Sequence, residues 1–189
     1  MRDIIGIDYG GRWAGTTSIA RVNDGRIKLH SVDKGQDADA FLSDEVDRIK
    51  PSLIAIDAPL SLPEAYFKDS GDLNFRESDR QLKAMSPMFL GGLTARAIAL
   101  SRQWRKKGYE VIEVYPSALV RHWELIHYLK KGKPSDELLK EMLAKGLEFS
   151  RRPNNMHELD AALALMSGKR YVEGVALSFG QEEEGVIIV

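Results

Sequence analysis

Short apolar runs and amphipathic stretches alternate along the chain in an order that predicts an α/β fold. The run 3–8 ends in Asp8, is apolar on both faces and predicts a buried first strand. Residues 15–22 and 26–32 flank the hairpin sequence Asn-Asp-Gly at 23–25 and predict two antiparallel strands. The chain is therefore expected to open with a three-stranded meander.

Helical periodicity alternates with strands after the meander. Apolar residues at helical spacing predict a helix over 37–49, and the apolar run 53–57 predicts a fourth strand that again ends in an aspartate, Asp57. A helix over 93–107 and a fifth strand over 109–115 follow. Further helices are predicted over 117–129, 135–147 and 155–167, and strand-like runs over 171–179 and 185–189.

Residues 60–92 interrupt this pattern. They are rich in Pro, Gly, Ser and charged residues, and they predict a long functional loop or insertion with a short helix over 76–85. Helices after the fourth and fifth strands indicate a mixed sheet with a parallel part, flanked by helices. The length of 189 residues, with no linker-like segment, predicts a single domain over 1–189.

Composition narrows the classes of function. The chain has no cysteine, which excludes disulfides, thiolate zinc sites and a cysteine nucleophile. Its formal net charge of -1 provides no global attraction for nucleic acid, so any polyanion contact has to come from local patches. No apolar stretch approaches the length of a membrane span, and the N-terminal segment is too short and charged for a signal peptide. We therefore expect a cytoplasmic protein without a membrane partner.

Acidic residues stand where the predicted elements would form a site. Asp8 and Asp57 each follow an apolar strand; either alone could be a turn residue, but the repeated arrangement favours a function. Asp160 borders the buried stripe of the predicted helix, and a surface aspartate is the alternative. Glu113 lies inside the fifth strand. It could be an acid of the site, or it could lie on an exposed face of the strand. His157, one turn from Asp160, could join the site or cap the helix.

Carboxylates that converge from separate strands and a helix repel one another unless a cation lies between them. Ligand sets made only of oxygen suit Mg²⁺ or Mn²⁺. We therefore expect Asp8, Asp57 and Asp160 to hold Mg²⁺ (or Mn²⁺), with Glu113 as a further ligand or base. Two such ions can activate a water and stabilise the leaving oxygen, which predicts a metal-dependent nuclease acting on DNA or RNA.

Basic side chains supply candidate phosphate contacts. Arg76 and Arg80 could bind a phosphate while Asp79 orients one of them; the alternative is a solvated helix face with an internal ion pair. Arg96 on the next helix could add to the same cluster or lie on the surface. Three basic runs lie at 102–107, 130–133 and 151–152. They could bind along a phosphate backbone, or they could be solvated helix ends.

Five stretches together cover nearly the whole chain and carry a resemblance. They are Ile-Gly-Ile-Asp (5–8), Ala-Ile-Asp-Ala-Pro-Leu-Ser-Leu-Pro (55–63), Arg-Glu-Ser-Asp-Arg (76–80), Ile-Glu-Val-Tyr-Pro (112–116) and Leu-Asp-Ala-Ala-Leu-Ala (159–164). In order and spacing they resemble the predicted nucleases grouped as domain-of-unknown-function family 429, of the ribonuclease H-like superfamily. The resemblance implies a mixed five-stranded sheet flanked by helices and nuclease activity. It also implies acids at the positions of Asp8, Asp57 and Asp160.

Two other functions stay open. Residues 8–11, with Thr16 and Thr17 downstream, are also similar to the first phosphate loop of the sugar kinase and actin superfamily, which implies a nucleotide-binding phosphotransferase. A non-catalytic binding module would keep the fold and the acids without the chemistry. The apolar tail 185–189 could pair at a sheet edge, which leaves a homodimer open.

Overall fold

A computed structural model describes residues 3–69, 71–129 and 132–189. Lys130 and Lys131, part of one basic run, lie outside the described residues. The strands are β1 (Ile4–Asp8), β2 (Ser18–Asn23), β3 (Arg26–Ser31), β4 (Leu53–Asp57), β5 (Glu110–Val114), β6 (Ser178–Gln181) and β7 (Gly185–Ile188). The helices are α1 (Ala38–Ile49), α2 (Glu77–Leu82), α3 (Pro87–Leu90), α4 (Gly92–Lys106), α5 (Pro116–His122), α6 (Asp136–Ala144) and α7 (Met156–Val172), with a 3-10 turn at Glu64–Tyr66.

The strands form a mixed sheet of seven in the order β3-β2-β1-β4-β5-β7-β6. Strands β1, β4, β5 and β7 are parallel, whereas β2 and β3 form the antiparallel meander and β6 runs antiparallel to β7. The α/β class and the mixed sheet are confirmed. The expected count of five strands is wrong, because the C-terminal hairpin pairs its β7 strand with β5 and places β6 beyond it.

Several element ends differ from the sequence prediction for local reasons. The helix predicted over 117–129 stops at His122, since Glu124 takes a left-handed φ of 56°. The strand-like run 171–179 is wrong in its first part, because α7 continues through Val172 before the chain turns into β6. The tail 185–189 pairs inside its own sheet rather than offering a free edge.

Helix α7 lies so close to β1 that only glycine fits between them. A Cβ on Gly6 would lie 2.1 Å from the backbone N of Leu165 and 2.2 Å from the carbonyl O of Ala161. A Cβ on Gly168, further along the helix, would lie 3.0 Å from the side chain of the first β1 residue. The helix therefore runs antiparallel to β1. Its first turns, with Asp160, lie at the carboxyl end of that strand.

Helices cover both faces of the sheet. Apolar side chains of β1 and β4 pack with those of α1 and α4 on one face, where Trp104 is fully buried. On the other face α5, α6 and α7 share a core. Within the described ranges, no helix is long and apolar enough to cross a lipid bilayer.

Candidate functional site

Three aspartates from separate elements meet at the carboxyl edge of the parallel strands. Asp8 and Asp57 are register partners, the last residues of the adjacent strands β1 and β4. Asp160 arrives from α7, which packs on β1. Ligand sites of α/β sheets gather at this edge, because the loops that follow parallel strands converge there. The structure thus brings together the three residues expected to hold a metal.

The contacts of these acids with the protein are few. Nδ1 of His157 lies 2.8 Å from Oδ2 of Asp8, and the Tyr128 hydroxyl donates to Oδ1 of Asp160 at 2.8 Å. The carboxylate of Asp57 forms no hydrogen bond or ion pair with any residue that the structure describes. His157 therefore belongs to the site, and no described residue compensates the charge of an ionised Asp57.

Burial and mutual repulsion both act on these carboxyl groups. Burial raises the pKa of Asp57 well above its usual range, and the charges of Asp8, Asp160 and Glu113 raise it further. Burial and the charge of Asp8 raise the pKa of Asp160 to about 7. The pKa of Asp8 is also raised by burial, although His157 opposes the rise. A site with this electrostatic character favours a cation or a proton.

The donor set fits Mg²⁺ in a limited way. No three His, Asp or Glu side chains of the described chain form a ready-made metal cage. Mg²⁺, however, is usually held by one or two carboxylates and keeps waters and substrate phosphates in its remaining positions. Asp8 and Asp57 meet that smaller requirement, since each has an oxygen without a hydrogen bond to the described protein.

Glu113 lies on β5 beside these acids but is engaged elsewhere. Oε1 and Oε2 accept from Nη2 and Nη1 of Arg76 at 2.6 and 2.8 Å, and Oε2 also accepts from the backbone N of Leu60 at 2.8 Å. Its exposure is 6%, so it does not lie on an open strand face. The expectation of a further metal ligand or base gains no support from these contacts, because both oxygens already have partners.

Arg76 is buried rather than solvated, with an exposure of 1%. Its Nε and Nη2 donate to Asp79, its Nη1 donates to Ser61, and both Nη atoms donate to Glu113. All five N–H donors of a guanidinium are thereby used. The internal ion pair of Arg76 and Asp79 expected from the sequence is present, but it is buried rather than on a solvated helix face. Phosphate binding by Arg76 stays a prediction, and the contacts of its guanidinium give it no support.

Arg80 and Arg96 differ from Arg76. The Arg80 side chain is 57% exposed and pairs with Asp72. Arg96 donates to both carboxylate oxygens of Asp39 and to the carbonyl O of Gly10 at 3.3 Å. Its guanidinium also lies 4.9 Å from the centre of the ring of residue 9. Arg96 therefore stabilises the loop that follows β1, next to the acids, and Arg80 keeps its charge at the surface.

Four residues of the other basic runs are bonded to carboxylates or carbonyls. Arg151 pairs with Glu158, Arg152 with Asp136 and Lys107 with Asp47. Arg105 donates to a backbone carbonyl of β5. These contacts lie within the protein, and binding of a phosphate backbone by the basic runs stays a prediction.

Tyr128 is a site residue that sequence reasoning did not identify. It lies in the last part of the helix predicted over 117–129, beyond the observed end of α5 at His122, yet it contacts an acid 32 positions later in the chain. No local pattern marks such a residue, because only the packing of α5 against α7 brings the two together.

Comparison with known proteins adds no assignment. No protein-family model matches the chain, and no curated protein matches it. The interpretation of the site therefore rests on its geometry and chemistry.

Proposed function

We propose that the protein is a Mg²⁺-dependent nuclease with a ribonuclease H-like fold that hydrolyses phosphodiester bonds in DNA or RNA. The observation that carries the proposal is the meeting of Asp8, Asp57 and Asp160 at one sheet edge, with Asp57 unpaired among the described residues. The order β3-β2-β1-β4-β5 and a late helix carrying the third acid agree with what the sequence resemblance implies. Strands β6 and β7 extend that arrangement.

Each acid has a separate part in this proposal. Asp8 and Asp57 would hold the ion, and Asp160 adds negative charge beside them. A bound Mg²⁺ would supply charge stabilisation of the phosphate and a more acidic water. His157 orients Asp8 through the contact between Nδ1 and Oδ2, while the Tyr128 hydroxyl fixes the rotamer of Asp160.

The phosphotransferase alternative gains less from the structure. In the loop after β1, the Thr17 hydroxyl accepts from the backbone N of Gly10 at 3.0 Å, and Thr17 is fully buried. The amide of Gly10 is thus used within its own loop. A phosphate-binding loop instead directs its free amides at the ligand.

The proposal is tested by cleavage assays on single-stranded, duplex, hybrid and branched DNA and RNA with Mg²⁺ or Mn²⁺. We expect cleavage by the wild-type protein and a loss of about 100-fold or more in Asp8→Asn, since the charge that holds the ion is removed. Asp47→Asn, an exposed aspartate on α1, is the matched control and should cleave normally. Failure of the folded protein to cut any of these substrates would overturn the proposal.

Calorimetric titration with Mg²⁺ and Mn²⁺ separates the nuclease from a non-catalytic module. Binding in the millimolar range or tighter, lost in Asp8→Asn, is the expected result. If the wild-type protein binds neither ion, the acids do not form a working metal site.

A further inference from the structure

A cavity of about 190 Å³ opens directly beside the acids. Asp8 and Asp57 border it, and β5 and the insertion form much of its wall. Its apolar and aromatic lining includes Tyr9, Leu90 and Tyr115. A group that fills this space therefore contacts both the apolar wall and the carboxylates proposed to hold the ion.

The charges around the cavity disfavour a phosphate in its interior. The lining contains the carboxylates of Asp79 and Glu113 in addition to those of Asp8 and Asp57, but Arg76 is the sole cation among the lining residues that the structure describes. Since every N–H of Arg76 is already bonded within the protein, this guanidinium has no free donor for an anion. An anion is therefore disfavoured inside the cavity, and the apolar and aromatic wall fits the apolar faces of an uncharged group.

The volume limits the occupant to a single ring system. Sites for drug-sized ligands enclose roughly 300–1,000 Å³, so a cavity of about 190 Å³ is too small for a complete nucleotide. The neutral, flat part of a nucleotide is its base. Bases that leave a stack are commonly received by aromatic and apolar side chains.

The entrance has a matching apolar rim. Met85, which lines the cavity, is 60% exposed, and Phe89 in the adjoining helix α3 is 68% exposed. The ring of Phe89 is held edge-on by Phe75, with centroids 5.7 Å apart. Large apolar side chains fixed at the surface beside a cavity provide a contact for an incoming ring.

We propose that this cavity receives one unstacked base of the bound polynucleotide, the base that adjoins the phosphate bound by the Mg²⁺ that Asp8 and Asp57 would hold. The inference rests on the proposed nuclease function and deepens it. The base occupies the cavity, and its own backbone stays at the entrance, beside Asp8 and Asp57. The protein thereby positions the phosphodiester through a base that it has removed from the stack.

An abasic scan tests this inference. In the oligonucleotide that the protein cuts best, each base near the cut is removed in turn by a tetrahydrofuran abasic residue. We expect one position adjoining the cut to lose about 10-fold or more in cleavage rate, because the contact with the cavity wall is lost, and other positions to change much less. An equal response at every position would overturn the base site.

A cavity-filling variant provides a second readout. Leu90→Trp should slow cleavage of the intact oligonucleotide but leave the rate on the sensitive abasic substrate nearly unchanged, because the cavity is already empty there. Leu73→Trp, at an insertion residue that is 61% exposed and does not line the cavity, is the matched control. Equal slowing of both substrates by Leu90→Trp would contradict the inference, and circular dichroism checks the fold.

The possible failures are distinguishable. Absence of cleavage on every polynucleotide removes the nuclease proposal and this inference together. If the protein cleaves but every abasic position gives the same rate, the base site is overturned and the nuclease proposal stands. A flat scan combined with a higher melting temperature in nucleoside monophosphates would assign the cavity to a free nucleotide and overturn the inference.

Discussion

Asp8 and Asp57 stand side by side as paired residues at the ends of two parallel strands. Their side chains approach closely enough for the charge of Asp8 to raise the pKa of Asp57, in addition to the larger effect of burial. Two unprotonated carboxylates in this position oppose folding unless a cation joins them. The two carboxylates therefore lower the stability of the folded protein at the candidate site, as functional residues often do.

Asp57→Asn should stabilise the metal-free protein while abolishing cleavage. The substitution keeps the shape of the side chain and removes a buried carboxyl group that has no partner among the described residues and whose ionised form burial opposes, so we expect a gain of about 1–3 kcal/mol in the free energy of unfolding. Urea unfolding with EDTA at neutral pH measures it. Asp47→Asn, which loses only a surface ion pair, should not stabilise the protein. Destabilisation by Asp57→Asn, or full retained activity, would contradict the prediction.

Arg76→Ala should be far more damaging than Arg80→Ala, although both arginines belong to the same sequence motif. Loss of Arg76 leaves Asp79 and Glu113 buried without their cation, which costs about 3–5 kcal/mol of unfolding free energy. Arg80 is mostly exposed, so its removal should cost less than about 1 kcal/mol. Chemical denaturation of the two variants checks the difference; equal stability losses would show that the buried network has been misjudged.

Asp39 should contribute stability that is lost in acid. Burial opposes its ionised form, but the bonds from Arg96 and Tyr9 outweigh burial and hold its pKa below the ordinary 3.8. A lowered folded-state pKa means that the contribution is complete above about pH 4 and disappears as the pH falls through the folded value. Between pH 7 and pH 3, the free energy of unfolding should therefore fall less in Asp39→Asn than in the wild type.

Arg96→Gln tests the same linkage from the other partner. It should also reduce the fall in the free energy of unfolding at acid pH. The double variant Asp39→Asn/Arg96→Gln should be only slightly less stable than either single variant, because both substitutions remove the same interaction. Additive losses would show that Asp39 and Arg96 act independently.

Gly6→Ala should prevent the close approach of α7 to β1. The added Cβ would meet backbone atoms of Leu165 and Ala161 at about 2 Å, and backbone atoms cannot move aside as a flexible side chain can. We expect a loss of several kcal/mol, or no folded protein, by thermal unfolding. Gly92→Ala is the control, because a Cβ there has no atom within 4 Å. A stable Gly6→Ala protein would mean that α7 packs less closely.

Much of the fold follows from local sequence patterns. The run 53–57 predicts β4 with both its ends, and Asn23-Asp24-Gly25 predicts the first hairpin, where Asp24 and Gly25 take φ values of 51° and 77°. The helix predicted over 37–49 is observed as α1, and Asp37, the first residue of that range, is its N-cap. These features depend on neighbours a few residues apart, so periodicity and turn chemistry are sufficient to find them.

The sequence by itself determined the class of the fold and the acids at the strand ends, because side-chain periodicity and charge are properties of short segments. Only the tertiary structure decided that β7 pairs with β5, that Asp8 and Asp57 share a register, and that Tyr128 contacts Asp160. It also decided that Arg76 turns inward to Glu113, 37 positions away, rather than outward to a phosphate. These features depend on which distant segments pack together, and the free energy of that packing cannot be obtained from any one segment alone.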